Sequence, residues 1–137
     1  ERPQGPCMKY VIDSYAWLEY FMGTAAGEKV KEIIESSEHE KLTPTICLSE
    51  IYAKVLKTEG LERAEIQRAF IKLRSALVPL SEDIAVESAK VDVEMKKKVK
   101  GWGLADSIVL GTARLKRAKV VTGDEHFKDL EQTVYIE

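Results

Sequence analysis

Apolar residues in this chain alternate between short unbroken runs and the three-and-four spacing of helices. Tyr10-Val11-Ile12 reads as the core of a strand over Lys9–Ile12, and Asp13-Ser14 behind it carries helix-start chemistry. The aromatic-rich stretch 16–21 predicts a short helix stopped by Gly23. Val30, Ile33 and Ile34 fall on one face of a helix over 27–36. Residues 41–45 predict a brief strand whose Pro44 marks a sheet edge or a strand end.

The second half repeats the alternation. Leu48, Ile51, Tyr52, Val55 and Leu56 lie at core spacing in a helix over 47–58, which Gly60 stops. Ile66, Phe70, Ile71 and Leu73 mark another helix over 61–74, followed by a strand over 77–80. Ser81 then caps a long helix that has an acidic first turn and runs towards Lys98. Gly101-Trp102-Gly103 breaks the chain before a helix of small and apolar residues over 104–118. A strand over 119–122, a short helix over 125–130 and a last strand over 133–136 complete the series. Strands alternating with helices predict an α/β fold, with parallel pairing, right-handed crossovers and helices on both faces. Ligands in such sheets bind beyond the carboxyl ends of the strands, and both Asp13 and Asp124 follow strands there.

Composition narrows the picture. A length of 137 residues predicts one domain with a real core. The first seven residues, ERPQGPC, read as a tag remnant, because Met8-Lys9 leads straight into a strand pattern; the domain is then 8–137 and Cys47 its one native thiol. Cys7 and Cys47 have no metal-binding spacing, so a reducing, cytoplasmic setting is the simplest expectation. No apolar run approaches the roughly 20 residues of a membrane span, and no signal-peptide pattern appears. A net charge of −2 advertises no broad basic field for nucleic acid. A nuclease gripping its substrate through metals and a local basic strip remains compatible.

Four carboxylates change the picture most. Asp13, Glu50, Asp106 and Asp124 each sit where a strand or loop gives way to a helix, so an alternating fold sets them along one rim. Four anions on one rim cannot all stay ionised without cations between them. Each has a plainer reading. Asp13 and Asp124 are also ordinary caps, and Glu50 points away from the apolar face of its helix, as a solvated side chain would. Asp106 is sharper. It heads a stripe of Val109, Leu110 and Ala113, where a buried carboxylate needs a partner. The basic runs Lys96-Lys97-Lys98-x-Lys100 and Arg114 to Lys119 read as solvated helix ends or as phosphate contacts. His39 and His126 match no ligand spacing and are expected at the surface.

Ile12-Asp13-Ser14, Ser49-Glu50, Leu104-Ala105-Asp106-Ser107-Ile108 and Val121-Thr122-Gly123-Asp124-x-x-Phe127 together resemble the PIN-domain family of metal-dependent ribonucleases. The resemblance spans 8–137 and is closest to small VapC-type toxins of toxin–antitoxin pairs. No one motif is specific, but the four in this order and at these intervals are much stronger together. The resemblance implies a PIN-like three-layer α/β/α sandwich with a central parallel sheet of about five strands. It implies a cleft for Mg²⁺ or Mn²⁺, with the family's acidic positions at Asp13, Glu50, Asp106 and Asp124 and supporting polar positions at Ser14 and Thr122. Asp13 and Asp106 are expected as direct ligands, with Glu50 and Asp124 holding waters or a second ion. The implied activity is endonucleolytic hydrolysis of RNA phosphodiesters. The implied partners are RNA, a small antitoxin protein and a second copy of the chain.

Three rivals are weaker. A phosphatase of the haloacid-dehalogenase type needs a second aspartate two positions after Asp13, where Tyr15 stands. A phosphorylation receiver needs an acceptor aspartate after the third strand, which here ends Val78-Pro79-Leu80-Ser81. A PIN-like domain that is catalytically silent and serves only binding or assembly is compatible with every residue.

Overall fold

The computed structural model describes residues 8–137, so the seven residues read as a tag remnant lie outside it. Five strands form one sheet: β1 (Lys9–Ile12), β2 (Glu40–Pro44), β3 (Ala76–Val78), β4 (Lys119–Thr122) and β5 (Thr133–Tyr135). Six helices connect them: α1 (Ser14–Met22), α2 (Ala25–Glu35), α3 (Thr45–Glu59), α4 (Leu61–Arg74), α5 (Glu82–Lys96) and α6 (Leu104–Lys116). A single 3₁₀ turn spans Glu125–Phe127, where the sequence predicts a longer helix.

All four strand pairings are parallel, in the order β3-β2-β1-β4-β5. Adjacent residues of the central strands enter opposite cores. Val11 and Val120 pack with Val109, Leu110 and Met95 on the α5–α6 side. Ile12 and Val121 pack with Trp17, Val30 and Ile51 on the α1–α4 side. A period of two on a sheet covered on both faces produces this division, and makes the fold a three-layer α/β/α sandwich. The polar residue in the middle of β2, Thr43, is fully buried, and its hydroxyl accepts from Trp17 Nε1 at 3.0 Å. Pro44 marks a strand end, not a sheet edge, because β2 lies between β1 and β3.

The strand order places a switch point at the middle of the sheet. From β1 the chain runs outward to β2 and β3, then returns to the other side of β1 as β4 and β5. The helices following β1 and β2 cover one face and α6 the other, so a crevice opens beyond the carboxyl ends of β1 and β4. Two expectations for α4 fail. Ile66 and Leu73 are 52% and 76% exposed, and Ala64 and Gln67 complete the buried face of α4 beside Ile71, which is buried as expected. Ala64 is small and Gln67 polar, so hydrophobicity alone mislocates the face. No helix among the described residues is long and apolar enough to cross a membrane.

Candidate active site

Asp13 ends β1 and caps α1. Its Oδ1 accepts the Ala16 backbone N–H at 2.9 Å. Its backbone N–H donates to Val121 O at 3.3 Å, which ties it to β4. It is only 7% exposed. Burial, the largest influence, pushes its carboxyl up from the ordinary 3.8 to about 7, against a lowering hydrogen bond from Thr122. The negative charges of Asp124 and Glu50 raise it further. Thr122 serves two acids at once, since its Oγ1 also accepts the Asp124 backbone N–H at 2.9 Å.

Glu50 stands on the exposed side of α3, as its helical phase predicts. Its Oε1 accepts the Ser14 hydroxyl at 2.9 Å, which brings the start of α1 and the first turns of α3 together. Asp106 occupies the first turn of α6, where its Oδ2 accepts the Gly103 backbone N–H at 3.1 Å. Asp124 caps the 3₁₀ turn, its Oδ1 accepting the His126 backbone N–H at 2.9 Å.

Asp13, Glu50, Asp106 and Asp124 line one cleft of about 210 Å³, with Ser14 beside them and Thr122 buried beneath. Tyr15, Leu18, Val109 and Phe127 form its apolar walls, and no lysine or arginine lines it. Cys47 lies fully buried on the same side, and burial followed by the charges of Asp13 and Glu50 pushes its thiol well above the ordinary range. It stays an unreactive thiol.

His126 is the residue that sequence reasoning missed. It is half-buried, and its Nδ1 lies 2.9 Å from Asp106 Oδ2 and 3.7 Å from Asp124 Oδ1. The Asp106 hydrogen bond, chiefly, raises its pKa, against the effect of burial. Asp106, Asp124 and His126 each offer a ligand atom within 4.8 Å of the others, so they can hold a cation; Asp13 and Glu50 stand outside that tight group. No spacing rule links residues 106 and 126, although Asp124-x-His126 in a turn after a strand was a usable hint. His39 is also half-buried; its Nδ1 accepts the Met8 backbone N–H at 3.2 Å.

The basic residues divide. Lys96 and Lys98 pair with Asp92 and Glu94 along α5, and Arg114 reaches Glu94. Arg114, Arg117, Lys119 and Lys9 line a separate groove at the amino ends of β1 and β4, away from the carboxylates.

The model of the PIN-domain family matches residues 10–132. This chain is a PIN domain. Solved structures agree on the fold. A toxin–antitoxin complex from Klebsiella pneumoniae superposes with a TM-score of 0.73 at 21% identity, covering 91% of this chain and 95% of that one. VapBC2 from Rickettsia felis, bound to a DNA fragment from its promoter, gives 0.76 at 16% identity over 95% and 100% of the two chains. VapC20 from Mycobacterium tuberculosis, a toxin that cleaves the sarcin–ricin loop, gives 0.72 at 17% identity over 89% and 95%. At these identities the likeness carries the fold of the PIN domain and leaves its chemistry to its own residues. No curated protein sequence matches the chain.

Proposed function

We propose that this PIN domain is a divalent-metal-dependent endoribonuclease and the toxin of a toxin–antitoxin pair. One observation carries the reading: four carboxylates from distant parts of the chain converge on one cleft with no lysine or arginine among its lining residues. The donor set fits a hard cation. Carboxylate oxygens suit Mg²⁺ or Mn²⁺, and a cation would offset the charge that burial and neighbouring acids disfavour on Asp13. Asp13, Glu50, Asp106 and Asp124 would hold it. A bound divalent cation supplies Lewis acidity, acidifying a water near neutral pH and offsetting charge on phosphate oxygens.

The chain's own groups do the rest. Thr122 orients Asp13 through its hydroxyl and fixes Asp124 through the backbone, while Ser14 aims Glu50. Leu18, Val109 and Phe127 give the cleft apolar surface beside its carboxylates. In the reaction a water oxygen attacks phosphorus and releases a proton, the bond to the leaving ribose oxygen breaks, and that oxygen takes up a proton. RNA as the substrate is supported by the sarcin–ricin-cleaving relative of the same fold.

Labelled RNA incubated with and without Mn²⁺ tests the proposal. Cleavage that needs the cation and disappears in folded Asp106→Asn is expected. Full activity in that variant, purified free of contaminating nuclease, overturns it. Calorimetric Mn²⁺ binding with no cleavage of any RNA tried would make the domain a silent binding module.

Toxin–antitoxin complexes among the solved structures of this fold support an antitoxin as partner, and a small antitoxin in a cytoplasmic setting belongs to the same reading. The exposed apolar residues Met22, Leu61, Ile66 and Leu73 on α1 and α4 suit protein contacts, and a homodimer is expected. Light scattering that finds a monomer at micromolar concentration rules out the homodimer.

A further inference from the structure

The turn at 124–127 is built around the His126 ring. Asp124 Oδ1 holds the His126 backbone N–H, and Phe127, almost fully buried, packs against Trp102 with the rings tilted and their centroids 5.0 Å apart. On the other side the Gly101–Gly103 segment passes over the imidazole. Gly101 has φ +83, and a Cβ there would come within 3.3 Å of His126 Nε2. Trp102 is locked in turn by its Nε1 donating to Ser107 Oγ at 2.7 Å. Packed against these neighbours, the ring brings Nδ1 to 2.9 Å from Asp106 Oδ2.

We propose that His126 is a positioning residue for Asp106: together with the Gly103 N–H it holds Oδ2, so that the carboxylate would meet a cation in a fixed orientation. This rests on the metal-dependent reading above. Two further observations favour positioning over ligation. Asp106 and Asp124 line the cleft whereas His126 does not. Both donors to Asp106 converge on Oδ2, which fixes the orientation of the carboxylate, the role outer hydrogen-bond partners play for ligand carboxylates. The imidazole must carry its proton on Nδ1 for this, and Nε2 faces the Gly101 side.

The test is Mn²⁺ titration by calorimetry on the whole chain, comparing the native protein with His126→Ala, His126→Asn and His126→Gln. Loss of the donor in His126→Ala should weaken Mn²⁺ binding by about tenfold or more. Asparagine returns an N–H near the place of Nδ1 and should restore most of the affinity. Glutamine, whose amide reaches the place of Nε2, should not. The Mn²⁺ concentration for half-maximal RNA cleavage should shift in the same order. Electron spin-echo spectra of the bound Mn²⁺ should show no directly coordinated nitrogen. Equal affinity in His126→Ala overturns the proposal, and so does a nitrogen coupling that His126→Ala removes. Should alanine fail to fold, asparagine and glutamine variants of equal affinity overturn it. Native protein that binds no Mn²⁺ sinks the metal-dependent reading and this proposal together; native binding with unaffected variants sinks only the role of His126.

Discussion

Asp13 carries opposite demands in one side chain. It is a buried cap whose carboxyl is pushed up to about 7 by burial, and it is also a proposed metal ligand that must be ionised. Because its folded value exceeds the ordinary 3.8, the metal-free fold keeps a proton that the unfolded chain has released. Its contribution to stability is full below about pH 4 and is lost as pH rises to about 7. Asparagine can still accept the Ala16 N–H, so Asp13→Asn should stabilise the metal-free protein at pH 8. The gain should be on the order of 2 kcal/mol in urea unfolding, with Mn²⁺ binding abolished. A variant less stable than the native protein at pH 8 would show that burial does not disfavour the charge. Mn²⁺ affinity of the native chain should climb as pH rises to about 7, as protons and cation compete for Asp13. Glu50→Gln is a separate test, since glutamine keeps an oxygen for Ser14 but removes the charge. Roughly tenfold slower cleavage at fixed Mn²⁺ is expected by analogy with other perturbed metal shells. An unchanged rate makes Glu50 a bystander.

At the scale of elements, the cleft depends on how closely α1 is held. Gly27 of α2 lies so near α1 that a Cβ would fall 2.2 Å from Glu19 O and 2.7 Å from Glu19 C, both backbone atoms that cannot rotate away. Gly27→Ala should therefore cost about 1–3 kcal/mol in urea unfolding, despite alanine's better helix propensity. A neutral result would mean that α1 and α2 can separate without loss. Helix positions themselves were readable because caps and stops are local. Gly23 ends α1 in a left-handed conformation, and Ser81 Oγ accepts the Ile84 N–H at 3.3 Å at the start of α5. The outward turn of Ile66 and Leu73 was not readable, because which face of α4 is buried depends on what it packs against.

For the whole molecule, the cleft is a product of topology. Residues 13, 50, 106 and 124 are separated by long stretches of chain, and the crossing from β3 back to β4 brings them together. A ligand bound only by the folded state must then stabilise all of it. Mn²⁺ at about 100 times its dissociation constant should add roughly 2.7 kcal/mol and raise the melting temperature by several degrees. Asp106→Asn should show no such rise; an equal rise would place the cation elsewhere.

The chain's own pattern determined the α/β class, the approximate positions of strands and main helices and the junction placement of Asp13, Asp106 and Asp124, since these follow from local periodicity, caps and breakers; Glu50 instead lies beyond the first turn of α3. Tertiary structure decided three things that depend on distant partners. It set which side of α4 is covered. It gave Asp13 its raised pKa, a consequence first of burial and then of the nearby charges of Asp124 and Glu50. It also set His126 against Asp106, because two residues far apart in sequence share a hydrogen bond only once β4 lies beside β1 and the 3₁₀ turn packs on Trp102.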